Sequence, residues 1–454
     1  MTPPAGEASP LARFSWAMFD WANQPFFTVV TTFIFAPYFT SVVVGDPVRG
    51  QALWGYAQSA AGLAIALSSP VLGAIADAAG PRKGWTFVFQ VLCALGCFWL
   101  WWAVPAAGPA TLFWSLVAIG LATIGAEFSI VFNNAMLPSL VPEDRMGRLS
   151  GFAWALGYAG GLVALIFVLV AFSLPEHPWF GLDKASHQHD RITGPLSAIW
   201  LAVFVLPLFL FTPDAKPTGL TRTQAVREGL RNVAATLVTV RRYRNIMQFL
   251  VARMIAYDGL NAIFAFGGIY AAGIFGWTTT SLGIFGIVLT IFAALGAWVG
   301  GWADDRFGSK PTMQWSVLGV TLATLGILSM SGDSVLFGIA VEGPRPGIAG
   351  GLFATTAERI FLLLGILLGI FGGPMQAASR TMLARLAPPS MVGEFYGLFA
   401  LSGKATAFTA PFAIAVCTSL FASQRGGMVA IVLFLVVGYL LMLPVREEQA
   451  AEAA

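Results

Sequence analysis

The chain has 454 residues, of which 57% are hydrophobic and only 10% charged, with a formal net charge of +3. Soluble domains carry about 25% charged residues, so a chain this long and this poor in charge cannot keep an aqueous surface and needs lipid as its solvent. The slight basic excess is that expected of cytoplasmic loops and shows no clustered face, which argues against nucleic acid as a partner. The three cysteines, Cys93, Cys97 and Cys417, lie in apolar runs without redox or zinc spacing.

A membrane-crossing helix needs about 20 mainly apolar residues. Twelve such runs are predicted, near 14–43, 52–79, 84–105, 110–136, 149–174, 194–212, 245–272, 278–303, 312–332, 357–381, 394–423 and 427–445. The first residues have no basic n-region and no cleavage site, so the first run is expected to remain in the mature chain. The ninth and tenth runs flank a Gly/Pro-rich yet apolar stretch, 333–356. Hydrophilic residues 213–244 are expected to form a cytoplasmic linker along the inner membrane surface. They separate a six-helix bundle at 1–212 from a second at 245–454. With the N-terminus inside, Lys and Arg crowd the cytoplasmic loops and are sparse in the outer ones. Both termini are therefore expected in the cytoplasm, with the chain in a bacterial inner membrane.

The two halves look like parallel repeats. Asp20 and Asn23 in the first helix match Asp258 and Asn261 in the seventh. After the second helix come Gly73, Asp77, Gly80, Arg82 and Lys83; after the eighth come Gly301, Asp305, Arg306, Gly308 and Lys310. Met136, Leu137, Leu140 and Pro142 after the fourth helix recur as Met382, Leu383, Leu386 and Pro388 after the tenth. Six helices return a chain to its starting side, so such repeats share one orientation. In the loops, glycines permit a tight turn, the Asp can meet a helix N-terminus or an Arg, and the basic residues are expected to face the lipid surface.

Ionisable residues inside spans cost a few kcal/mol each and need a partner or a wet cavity. They are Asp20, Glu127, Arg253, Asp258, Arg380 and Lys404. Asp20 with Asn23, and Asp258 with Asn261, are expected to confront each other across a central cavity. Gln24, Asn133, Asn134 and Gln376 add polar surface nearby. Arg253 and Asp258 are five apart, about 140° around a helix, so they should not pair. The outer loop with Glu176, His177, Asp183, His187, His189 and Asp190 is read as a polar loop without a metal. Glycines 157, 160 and 161 are read as close helix contacts, and Trp99, Trp101 and Trp102 as an interfacial aromatic belt. No Walker loop, nucleophile elbow or zinc-protease motif is present, which disfavours ATP-driven transport and enzymatic catalysis. No cofactor is expected.

The paired loop motifs resemble the inter-helix motif of the major facilitator superfamily, where they are taken to latch the outward-open state. The first copy has Ala78 where the second has Arg306, which implies a weaker latch. A narrower resemblance covers nearly the whole chain. Residues 19–23 (Phe19 to Asn23), 134–138, 150–158, 257–261 (Tyr257 to Asn261), 376–404 and the run from Gly393 are similar to the vacuolar effluxer branch. That branch includes the fungal autophagy-related protein implicated in exporting amino acids from vacuoles. The resemblance implies an all-α bundle of twelve transmembrane helices in two parallel six-helix repeats. It also implies alternating access to a small polar solute. Amino acids are the first guess because the spans offer both signs of charge. Protons are an expected partner through Asp20, Asp258 or Glu127, the lipid bilayer is the other, and a monomer is expected. A sugar or cell-wall-fragment transporter that stacks substrate on Trp154 and Tyr158, and a non-transporting assembly factor or sensor, are the alternatives. Reporter fusions after Arg231 and after Arg446 should both report cytoplasm; a periplasmic signal at either overturns the twelve-helix map.

Overall fold

The computed structural model describes residues 8–105, 108–141, 143–215, 223–224, 227, 243–332, 334–341, 352–387, 395, 399, 402–403 and 405–446. Its helices follow the predicted runs in order. They are α1 (Pro10–Val43), α2 (Pro47–Ala79), α3 (Lys83–Trp102), α4 (Pro109–Asn134), α5 (Phe152–Ser173) and α6 (Gln188–Phe211). Then come α7 (Arg244–Phe275), α8 (Thr279–Phe307), α9 (Ser309–Leu328), α10 (Thr356–Leu386), α11 (Thr409–Phe421) and α12 (Gln424–Met442). Among the described residues, ten helices are long and apolar enough to cross a membrane, all of these except α2 and α11. The α2 helix is 33 residues long and matches the second predicted run. At 13 residues, α11 covers the end of the run predicted at 394–423, part of whose remainder lies outside the described residues. The linker 213–244 also lies largely outside them. Between α9 and α10 the described residues hold a short antiparallel hairpin, Ser334–Val335 with Ile339–Ala340.

The chain forms two compact units. One comprises Met1–Gly45 with Ala60–Ala234, the other Asp46–Ser59 with Ala235–Ala454. The first turns of α2 thus belong to the second unit, whereas the sequence reading gave all of 1–212 to the first bundle. The reason is polar: Gln51 is fully buried and donates through Nε2 to Thr418 Oγ1 at 2.9 Å and to the Gln424 carbonyl at 3.1 Å. Gln424 Nε2 in turn donates to the Pro47 carbonyl at 3.1 Å.

Inside the units the same packing recurs. In the first, α3 packs on α4 and α6, and α1 meets α6; in the second, α9 packs on α10 and α12, and α7 meets α12. These are parallel six-helix repeats.

Small residues set the close contacts, as expected where lipid tails give helices no hydrophobic reason to associate. An added Cβ at Gly157 would stand 3.2 Å from Asp20 Cβ, and one at Gly160 would stand 2.9 Å from the Trp21 carbonyl oxygen. The glycines of α5 therefore seat α1, as the sequence indicated. Cys93 and Cys97 are buried free thiols. Against them sits Gly125 of α4, where a Cβ would lie 2.5 Å from the Cys93 nitrogen.

Proline shapes α1. Pro25 has no N–H to give the Trp21 carbonyl one turn back, and the indole Nε1 of Trp200 on α6 donates to that oxygen instead, at 3.1 Å. The two indoles stack with centroids 5.7 Å apart. Beyond Pro25 the helix widens into π-type turns over Phe26–Phe33, the form that appears where an α-helical ladder is interrupted.

Replacing Gly125 by Ala should lower the melting temperature of the purified protein, because a backbone atom cannot yield as a side chain can; overpacking of this kind costs about 1–3 kcal/mol. Gly120→Ala on the same helix, where a Cβ meets nothing within 4 Å, should leave it unchanged. Equal melting of the two variants would contradict the close α3–α4 contact.

Candidate functional site

In the first unit Asp20 lies half-buried on α1, five residues before Pro25, with Gly157 of α5 against its Cβ. Among the described residues it has neither a hydrogen bond nor an ion pair. Asn23, expected beside it on an open face, is instead buried within the unit. Its Nδ2 donates to the Phe19 carbonyl at 3.0 Å, and its Oδ1 accepts from Gln90 Nε2 on α3 at 3.1 Å. Gln90 also donates to Ser129 Oγ on α4 at 3.0 Å. This cluster ties α1, α3 and α4 together through the two hydrogen bonds that the Gln90 Nε2 group donates. Gln24 is half-buried against α5, where a Cβ at Gly161 would lie 2.7 Å from its Cγ. Asn133 is buried, and its carbonyl accepts from Trp16 Nε1 at 2.9 Å; Asn134 is exposed at the end of α4. Glu127 is half-buried and engaged in a contact of its own. Gln90 escaped the sequence reading because an uncharged amide in an apolar run resembles any other helix residue.

In the second unit Arg253 of α7 is buried, with its guanidinium 3.5 Å from the Phe399 ring centroid and 4.6 Å from that of Tyr257. Nη1 donates to the Phe399 carbonyl at 3.1 Å and to Ser402 Oγ at 3.4 Å. Two aromatic faces and local acceptors make a guanidinium tolerable in such a place. Asp258 is buried and accepts from Thr409 Oγ1 of α11 at 3.3 Å. Asn261 is exposed, and Gln376 on α10 is half-buried. The side chain of Arg380 and the whole of Lys404 lie outside the described residues. Phe399 and Thr409 were not foreseen, since neither a ring nor a hydroxyl stands out in a sequence of this composition.

The loop motifs share their geometry. Gly80 has φ +88° and Gly308 φ +94°, a region that suits glycine and strains other residues. Lys83 Nζ donates to the Phe209 carbonyl near the end of α6 at 3.0 Å, and Lys310 Nζ donates to the Leu443 carbonyl after α12 at 2.9 Å. Both lysines, expected to face lipid, instead serve carbonyls that a helix C-terminus leaves without partners. Asp214, unnoticed in the linker stretch, accepts from the backbone N–H groups of Arg82 and Lys83 at 2.8 and 3.2 Å and so caps α3. Arg306 is exposed, Arg82 half-buried, and Gly301 faces open space. Gly73 and Asp77 lie in α2, and the side chains of Asp77 and Asp305 are outside the described residues. The neighbouring Asp304 is buried and faces Arg385 of α10 at 3.6 Å, a contact that the motif spacing did not single out.

Residues 40–454 match the family described as vacuole effluxer Atg22 like. The chain belongs to this family. Its relatives include "Uncharacterized MFS-type transporter YxiO" of Bacillus subtilis (strain 168), 25% identical over 97% of this chain and 96% of that protein. "Autophagy-related protein 22-1" of Neosartorya fischeri is 21% identical over 66% of this chain, an alignment that spans about half, 48%, of the fungal protein. Among solved structures, a D-xylose-proton symporter superposes with a TM-score of 0.67 at 14% identity, covering 97% of this chain and 98% of its own. A bacterial homolog of the human lysosomal transporter Spinster gives 0.61 at 14% identity, covering 98% and 100%. The fold is that of the major facilitator transporters, and this vacuole effluxer Atg22-like chain is a multi-pass membrane transporter of that type; its relatives are transporters rather than enzymes.

In this family member Gly80→Ala or Gly308→Ala should lower the maximum transport rate and cost about 1–2 kcal/mol of stability, the ordinary penalty for a side chain at positive φ. The half-saturation concentration should stay near the original. A pure affinity loss at normal maximum rate would count against a gating role for these loops.

Proposed function

We infer that the chain is a secondary active transporter that moves a small polar solute by alternating access, with proton movement coupled to it. An amino acid is the first choice of substrate. The setting is a bacterial inner membrane, with both termini cytoplasmic and the chain acting as a monomer. The observation that carries this reading is the matched pair of acidic residues in spanning helices, Asp20 on α1 and Asp258 on α7. Asp20 is without a hydrogen bond or ion pair among the described residues. A carboxylate costs about 2.5–3.5 kcal/mol at the centre of a spanning helix, and a purely structural residue at that place would have a partner. A group that loads and releases a proton during a cycle needs the opposite: no fixed counter-ion, and access at some stage of the cycle.

The choice of an amino acid rests on both signs of charge within the spans. Arg253 supplies the positive one, two turns from Asp258 along the same helix at most, and a zwitterion requires one of each. The fungal relatives bear the name of an autophagy protein and the family that of a vacuolar effluxer, which supports export of a product of macromolecular breakdown.

Proteoliposomes loaded with candidate amino acids test the reading. Asp20→Asn or Asp258→Asn should abolish accumulation driven by a pH gradient, while counterflow exchange, which needs binding and alternation but no net proton movement, should survive. If both variants still accumulate solute in response to the gradient, neither residue couples, and Glu127 is the next residue to test. Loss of folding in both variants would instead assign them to structural support.

A further inference from the structure

The segment between α5 and α6, expected to be a polar loop without a metal, is a built structure. Asp183 Oδ1 and Oδ2 accept from the backbone N–H groups of Ala185 and Ser186 at 2.9 and 3.1 Å, and Gln188 Oε1 accepts from the Asp183 N–H at 2.9 Å. Lys184 Nζ donates to the Ser173 carbonyl at the end of α5, at 2.6 Å. This turn delivers His187 in the left-handed conformation, φ 54° and ψ 30°, a region that residues with a side chain rarely adopt. The conformation folds His187 back over the first turn of α6. Its Nδ1 lies 2.9 Å from Asp190 Oδ2, and His189 Nε2 lies 3.5 Å from the same oxygen. One donor atom from each of the three residues lies within 4.8 Å of the others.

We propose that His187, His189 and Asp190 form a binding site for one divalent transition-metal ion, with zinc the best fit. Two imidazole nitrogens and a carboxylate oxygen are the donor set of three-ligand zinc sites, which leave a further position for water. At a metal–ligand distance of about 2.0–2.1 Å, tetrahedral donors stand about 3.3 Å apart. The two separations from the carboxylate oxygen fall on either side of that value, and the two imidazole donors, within 4.8 Å of one another, would close on an ion between them. The carboxylate is almost fully buried, at 4% side-chain exposure, while His187 is 34% exposed and gives an ion access. His189 Nδ1 is buried and without a hydrogen-bond partner, which leaves Nε2 as the nitrogen engaged at the cluster. The next cation in the chain, Arg191, is held over the Trp101 ring at 4.7 Å.

Binding there fastens several elements at one end of the first unit. The Tyr38 ring of α1 lies 5.5 Å from that of His187, and its hydroxyl donates to the Ala103 carbonyl after α3 at 2.7 Å. Lys184 ties the same loop to α5. An ion would therefore link the loop and the start of α6 more firmly to the ends of α1, α3 and α5, which a transporter moving between conformations would register as a change in rate.

The test uses the full chain in lipid nanodiscs, with Zn2+ titrated against a chromophoric chelator and Co2+ as a spectroscopic probe. One saturable equivalent per chain is expected. His187→Gln and His189→Gln should each weaken binding at least about tenfold and remove the visible Co2+ band, whereas His177→Gln, in the same loop but outside the cluster, should leave both unchanged. X-ray absorption of the Zn2+-loaded wild type should show two imidazole ligands, which decides the matter even if a variant fails to fold. Absence of saturable binding, stoichiometric binding that survives both cluster variants, or a spectrum without imidazole would each overturn the proposal.

Discussion

Hydrocarbon offers no hydrogen-bond partner, and this one constraint orders most of the polar detail in the molecule. At several interruptions of the backbone ladder a side chain from another helix takes its place. Pro25 leaves the Trp21 carbonyl without its usual donor, and the Trp200 indole supplies one. The carbonyls at the ends of α6 and α12 take the ammonium groups of Lys83 and Lys310. The same rule bears on Asn23, Gln90 and Ser129, which the Gln90 Nε2 group links across three helices. Against that background Asp20, a carboxylate with neither a hydrogen bond nor an ion pair among the described residues, stands apart by its capacity to carry charge.

The architecture was legible in the sequence because its two determinants, apolar runs of membrane length and a doubled motif, are both one-dimensional patterns. The repeat of Gly80 as Gly308 was visible as spacing, and positive φ at both explains why only glycine suits the turn. Roles that depend on which neighbour a side chain meets were not legible. Asn23 and Asp20 are three residues apart and read as one polar face, yet the first belongs to an internal amide cluster and the second does not. Lys83 and Lys310 read as headgroup contacts because a basic residue at a membrane boundary most often is one, and the carbonyls they serve lie more than a hundred residues away in the chain. Gln51 read as part of a helix of the first half, but its buried amide finds its partners on α11 and α12.

Duplication also shows where the halves have diverged. The offset that aligns Asp20 with Asp258 places Ser15 opposite Arg253. Ser15 is a buried hydroxyl; Arg253 is a buried guanidinium between two aromatic rings. Scaffold positions, the turn glycines and the lysines that serve helix ends, are retained in both halves because each bundle must close its own backbone. The charged interior positions are under no such requirement, so they are free to differ. An acid kept in both copies, together with a base present in only one, is what a duplicated scaffold would retain if the acids share a task that both halves perform and the base serves one end of an asymmetric substrate. That asymmetry is compatible with a solute that has two unlike ends, although Arg253 also packs on Phe399 and Tyr257 within its own bundle.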